Sequence, residues 1–231
     1  IIEDGYRKPN PDKVKAVLDL KQPTNKKEAQ SIFGLLNYHR NFIPHFASKT
    51  ADITMAYKNG FKWTSAAENA LEALKEEIAS KIDKLKIPSP NNGQYGIETD
   101  ASDLGIGAVL LFKDNETNEF KPVAYLSQKF DEAQKNYNTN EKELLAGKRA
   151  MEKWSHYLLG HPFIWFTDNS CVNWAHRIKS RKSKIAKWLA EIGDFDFTTV
   201  LKPSKEMVVS DCLSRQVATI GAKIAMIKTA E

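Results

Sequence analysis

Apolar positions along the first 85 residues recur at helical spacing, and near residue 95 the period changes to that of strands. Asn10-Pro11-Asp12 reads as an N-cap with proline at the first helical position; Val14, Val17 and Leu18 share one face, and Pro23 bounds the helix. A second helix is predicted from Asn25, with Glu28 in capping-box register and Ala29, Ile32, Phe33 and Leu36 along its apolar side. A third is predicted from Ser65, boxed by Glu68 and carrying Ala67, Leu71, Leu74 and Ile78. Residues 86–93 concentrate Pro, Asn and Gly, which places a domain boundary between a helical part, residues 1–88, and a part of mixed character, residues 89–216.

Beyond that boundary Tyr95, Ile97 and Thr99 alternate with Gly96, Glu98 and Asp100, the signature of a half-buried strand. Gly105 and Gly107 suit a tight return, and residues 108–112 form an apolar run of central-strand type. A third strand is predicted over 120–127 and a helix over 140–158, with Leu144, Met151, Trp154 and Leu158 inward and Gly160 at its end. A strand at residues 163–167, a helix over 183–192, a strand over 195–201 and a short helix over 207–215 follow. The pattern gives an α/β fold, a mixed five-stranded sheet flanked by helices and preceded by a mainly helical domain. Residues 217–231 are expected to be a tail or linker.

Composition narrows the class. With 231 residues, 42% of them hydrophobic, the chain can build a sizeable core. Its charge of +5, from 34 basic and 29 acidic residues mixed along the sequence, points mildly to a polyanionic partner. Cys171 and Cys212 are too few and too distant for a disulfide framework or a cysteine-based zinc site, and suit a reducing compartment. No apolar run reaches the length of a membrane span and no signal peptide is evident, so no membrane association is expected. A start at Ile1 rather than Met suggests a piece of something longer.

Four acids take corresponding places in the pattern: Asp100 and Asp168 at strand ends, Glu143 early in a helix, and Asp211 in the last helix. Two divalent ions about 4 Å apart need several converging carboxylates, and phosphodiester hydrolysis is chemistry that such a pair serves. Each acid also has an ordinary structural role. Asp100 and Asp103 could close the hairpin as Asx-turn residues, Asp168 could cap a following helix, Asp211 could be solvated, and Glu143 could box with Asn140.

The segments Glu98-Thr-Asp-Ala-Ser-Asp-Leu-Gly-Ile-Gly-Ala-Val-Leu110, Pro122-Val-Ala-Tyr-Leu-Ser127, Glu141-Lys-Glu-Leu-Leu-Ala146, His156-Tyr-Leu-Leu-Gly160, Thr167-Asp168 and Val208-Val-Ser-Asp-Cys-Leu-Ser-Arg215 resemble the ribonuclease H domain of Ty3/gypsy-type retroelement reverse transcriptases. Pro11-Asp12-Lys13-Val14, Phe33-Gly-Leu-Leu-Asn-Tyr-His-Arg-Asn-Phe-Ile43 and Phe61-Lys-Trp-Thr64 are similar to the same family's thumb, and residues 3–6 to the end of its palm. The resemblance spans nearly the whole chain. It implies that Asp100, Glu143, Asp168 and Asp211 ligate two Mg²⁺ ions, with Mn²⁺ as a substitute, and that the RNA strand of an RNA:DNA hybrid is hydrolysed.

Hybrid binding calls for phosphate contacts and a way to sense 2′-hydroxyls. The densest basic run offers Arg177, Lys179, Arg181, Lys182, Lys184 and Lys187 for the backbone, or equally a solvated helix face, and Asn140 and Asn169 stand beside the acids for the sugar edge. Tyr38-His-Arg-Asn-Phe-Ile43, with Lys26 and Lys27, could track a duplex. Many related enzymes place a histidine before the last acid; residues 202–206 have none, leaving Lys205, Glu206 or water for that role. No Tyr-x-Asp-Asp run occurs, so the polymerase acids would reside in a palm and fingers elsewhere. The resemblance further implies a cytoplasmic setting within virus-like particles and leaves a homodimer open. Two other readings differ in activity: a hybrid-binding piece without turnover, and an integrase- or transposase-like DNA nuclease.

Overall fold

The side chain of Asn10 accepts the Asp12 N–H at 2.9 Å, and helix α1 (Pro11–Leu18) starts there. The computed structural model describes residues 1–58, 60–80, 84–168, 184–203 and 207. Asn25 caps α2 (Lys26–Tyr38) by accepting from Glu28 N–H at 3.0 Å. The short helices α3 (Phe46–Lys49) and α4 (Ala51–Lys58) follow, and then α5 (Ser65–Ser80). The cap of α5 lies one residue earlier than the spacing suggests. Thr64 Oγ1 accepts from Ala67 N–H, and Glu68 instead accepts the Trp63 indole N–H at 2.5 Å, because a helix capped by Thr64 has Ala67, not Glu68, at its third position. Val17, Leu36, Ile53, Leu71 and Leu74 close this helical core, each side chain contributing roughly 1.5–3 kcal/mol by leaving water.

Strands β1 (Ile2–Glu3) and β2 (Tyr6–Arg7) form a hairpin, and β2 pairs antiparallel with β3 (Leu85–Lys86), so the chain ahead of α1 meets the chain behind α5. The main sheet comprises β4 (Gly93–Ala101), β5 (Gly105–Asp114), β6 (Phe120–Lys129), β7 (Phe163–Thr167) and β8 (Phe197–Leu201) in the order β6-β5-β4-β7-β8. The first three strands in sequence are an antiparallel meander; β7 and β8 join parallel to β4.

Helices α6 (Glu132–Lys135), α7 (Thr139–Lys153), α8 (Ser155–Leu158) and α9 (Lys184–Glu191) complete the described α-helices. The helix expected over 140–158 is broken at Trp154 into α7 and α8 and terminated by Gly160, whose φ of +78° favours glycine. Of the helix expected over 207–215, all but the buried Met207 lies outside the described residues.

Pleat alternation divides the buried side chains between two faces. Ile97, Ala108, Leu110 and Phe112 pack with Leu144, Met151 and Trp154 in one cluster. Val109, Leu111 and Tyr125 pack with Leu85 and Phe42, which come from the residues before the predicted boundary. Edge strand β6 is held to the same segment by Arg7, which donates to Val123 O at 3.3 Å where the β5–β6 ladder slips, and by Ala47 N–H, which donates to Ser127 Oγ at 3.1 Å. Among the described residues no helix is long and apolar enough to cross a membrane.

Candidate active site

Strands β4 and β7 run parallel, so their C-terminal ends share one edge of the sheet. Their last paired level is Glu98 with Phe166, and two residues further on stand Asp100, still in β4, and Asp168, just past the end of β7. Helix α7 packs against β4 and supplies Glu143, whose Oε1 accepts the Ala101 N–H at 3.1 Å. Asp100, Glu143 and Asp168 each offer a carboxylate oxygen, and the three oxygens lie within 4.8 Å of one another. Asp211 lies outside the described residues.

The local alternatives for two of these acids do not match the geometry. Asn138, not Asn140, caps α7; it accepts from Glu141 N–H at 2.9 Å while Glu141 accepts from Asn138 N–H at 3.1 Å, so the box sits two residues before Glu143. The hairpin turn is closed by Ser102, whose Oγ accepts from Leu104 and Gly105 N–H, while Asp103 pairs with Lys142 Nζ at 2.8 Å. Asp100 belongs to the strand itself.

Glu143 is only 4% exposed, and its Oε2 accepts no hydrogen bond among the described residues. A buried carboxylate oxygen in that state is costly unless a proton or a cation answers it. Burial pushes the Glu143 carboxyl up to about 8, and the charges of Asp100 and Asp168 add to this against the opposing Ala101 N–H. Burial raises Asp100 as well, followed by Asp168, with a smaller contribution from Glu98. The donor set is all oxygen, which fits a hard divalent cation such as Mg²⁺.

These shifts carry a testable sign. Both carboxyls bind protons more tightly in the folded chain, so their contribution is complete below the ordinary values of 3.8 and 4.5 and is lost as pH rises, for Glu143 through about 8. Fully buried His39, depressed by burial, acts oppositely, eroding stability as pH falls below its ordinary 6.5. In EDTA the melting temperature is expected to fall between about pH 6.5 and 8.5, and Glu143→Gln to flatten that slope by several degrees, since one pKa unit is worth about 1.4 kcal/mol and each kcal/mol moves melting by about 2–4 °C. Identical slopes in melts of the two chains would remove Glu143 from the coupled cluster.

Two contacts next to the acids were not anticipated from the sequence. Glu98, fully buried on β4, receives Lys202 Nζ at 2.9 Å, and Lys202 N–H continues the ladder to Thr167 O at 2.9 Å. The strand alternation put Glu98 on the Asp100 side, but nothing local names a partner 104 positions away. Buried Trp165 donates its indole N–H to Thr99 Oγ1 at 2.9 Å. Among the candidate nucleic-acid residues, Lys184 is held by Glu141 at 3.2 Å and lies over the Tyr137 ring, and Lys187 is largely exposed. Asn140 stands in the first turn of α7. Asn169, Arg177, Lys179, Arg181 and Lys182 lie outside the described residues, as do Lys205 and Glu206.

The RNase H-like domain found in reverse transcriptase matches residues 91–195. The retrovirus-related Pol polyprotein from transposon 297 of Drosophila melanogaster is 32% identical over 216 residues, covering 93% of this chain and 20% of that protein. The transposon Tf2-3 polyprotein of Schizosaccharomyces pombe is 32% identical over 225 residues, with 93% of this chain and 16% of that protein covered. The chain thus spans about a fifth or less of these relatives. Among solved structures, the foamy viral protease-reverse transcriptase dRH in complex with double-stranded DNA superimposes with a TM-score of 0.71 at 21% identity, covering 87% of this chain and 37% of that one. The same kind of protein in complex with an RNA/DNA hybrid gives a TM-score of 0.69 at 22% identity, covering 87% and 29%. With the ribonuclease H-like sheet, the acidic edge and these relatives in view, the chain carries the RNase H-like domain found in reverse transcriptase, and its relatives are polyproteins of Ty3/gypsy-like transposons.

Proposed function

We propose that the chain hydrolyses the RNA strand of RNA:DNA hybrids, with Asp100, Glu143, Asp168 and Asp211 holding two Mg²⁺ ions. The observation that carries this reading is the convergence of three carboxylates within 4.8 Å around a buried Glu143 oxygen that accepts no described hydrogen bond. When bound, such a metal pair supplies an activated water and neutralises charge at the scissile phosphate and the leaving 3′-oxygen. The chain's own residues define the place. Ala101 N–H orients Glu143, the parallel strand ends level Asp100 with Asp168, and Lys202 on Glu98 anchors the strand behind them.

Residues 1–88 act as a thumb-like part, 89–216 as the ribonuclease H domain and 217–231 as a tail or linker. Palm and fingers come from the rest of the reverse transcriptase, in the cytoplasm within virus-like particles. Arg177, Lys179, Arg181, Lys182, Lys184 and Lys187 contact phosphates, and Asn140 and Asn169 the sugar edge. The shared fold with a protein solved on an RNA/DNA hybrid makes that duplex the first substrate to test.

The deciding experiment is one gel with labelled RNA:DNA hybrid, duplex DNA and duplex RNA, each with Mg²⁺ or EDTA. Cleavage of the hybrid's RNA strand, in Mg²⁺ only, is expected. Cutting of duplex DNA would replace this reading with a DNA nuclease, and hybrid binding without turnover would leave a non-catalytic binding piece.

A further inference from the structure

Gly147 lies four residues after Glu143, one turn along α7 on the same side of the helix. A Cβ built at Gly147 would overlap Cζ2 and Cη2 of Trp165 and come within 2.8 Å of Cε2. Glycine here is therefore a condition of how closely α7 approaches the sheet, not of a turn. Trp165 is fully buried at the centre of β7, three residues before Asp168, and its indole N–H is committed to Thr99, the neighbour of Asp100. One indole ring thus touches, or adjoins in sequence, each element that carries a described carboxylate of the site.

We propose that the Gly147–Trp165 contact sets the spacing of Asp100, Glu143 and Asp168, with Trp165 as a positioning residue that touches neither substrate nor metal. This inference rests on the metal reading of the acids given above. Its physical basis is that close-packed interiors pass a local overlap on as displacement. A methyl at residue 147 must move either α7, and Glu143 with it, or the indole, and Thr99 and β7 with it. Helix propensity alone would make the same change stabilising and leave the Mg²⁺ midpoint where it is, because alanine is favoured over glycine in a helix interior.

The test is a Mg²⁺ titration read by thermal shift without nucleic acid, on wild type, Gly147→Ala, Trp165→Phe and the double variant, with circular dichroism to check folding. Gly147→Ala is expected to raise the Mg²⁺ midpoint about tenfold, as a misplaced ligand set should. Trp165→Phe, which drops the Thr99 bond, should raise it by less than about threefold. The smaller ring leaves room for the added methyl, so the double variant is expected to return to within about threefold of wild type, a non-additivity that contacting residues show. A folded Gly147→Ala chain with an unchanged midpoint overturns the proposal, as does a raised midpoint that the double variant fails to repair. If Gly147→Ala alone does not fold, the double variant's midpoint decides by the same criterion. A wild-type chain whose melting ignores Mg²⁺ sinks the metal reading and this inference together, whereas a responsive wild type whose midpoint Gly147→Ala leaves unchanged sinks only the latter.

Discussion

Glu143→Gln is expected to lower Mg²⁺-dependent hybrid cleavage by at least about a thousandfold, equivalent to about 4 kcal/mol of transition-state stabilisation, while the chain stays folded. Glutamine preserves the shape and the oxygen that accepts the Ala101 N–H at 3.1 Å, so the strand-to-helix contact survives. What is lost is a charge in a buried place where Asp100 and Asp168 already repel it. Removing it should raise the melting temperature of the metal-free chain and shrink the stabilisation that added Mg²⁺ gives by mass action. Helix capping does not enter, since Asn138 and Glu141 close that box. Single-turnover cleavage and melts with and without Mg²⁺ check both halves, and wild-type cleavage with an unchanged Mg²⁺ shift would withdraw Glu143 from the site.

Lys202→Met carries the larger expected effect on stability. Glu98 is fully buried and Lys202 Nζ answers it at 2.9 Å from a side chain that is 25% exposed. Removing one partner of a buried ion pair typically costs about 3–5 kcal/mol, and the partial exposure of Lys202 argues for about 3. At about 2–4 °C per kcal/mol for a chain of this size, melting should fall by roughly 6–12 °C. Adding Glu98→Gln should recover most of the loss, because the buried site then holds no net charge in need of a cation. Denaturant titration of the single and double variants measures this directly. Equal stability of both would mean that Lys202 does not support Glu98.

Much of the secondary structure was legible because it is written in local spacing. The strand predicted at residues 163–167 and the helices started by Asn10 and Asn25 depend on period and on side chains that bond amides two or three positions away. Where two local solutions coexisted, spacing could not choose between them. Asn138 with Glu141 and Asn140 with Glu143 are equally good capping boxes in sequence, and the phase of α7 against the sheet selects the first, which frees Glu143 to face Asp100. Likewise Thr64 and Ser65 both suit a cap, and Thr64 takes it.

By itself the sequence determined most of the longer helices and strands, the mixed α/β character with a helical part ahead of it, and the acids worth watching. Only the tertiary structure decided what they meet. The parallel addition of β7 beside β4 levels Asp100 with Asp168, the approach of α7 over Gly147 brings Glu143 to them, and Lys202 reaches Glu98 from 104 positions away. Phe42 and Leu85 cover the sheet face of Val109, Leu111 and Tyr125 although they come from before the Pro/Asn/Gly stretch. The reason is physical: hydrogen bonds within a turn of helix depend on neighbours along the chain, whereas strand direction, close approach and the burial that shifts a carboxyl depend on which distant segments exclude water together.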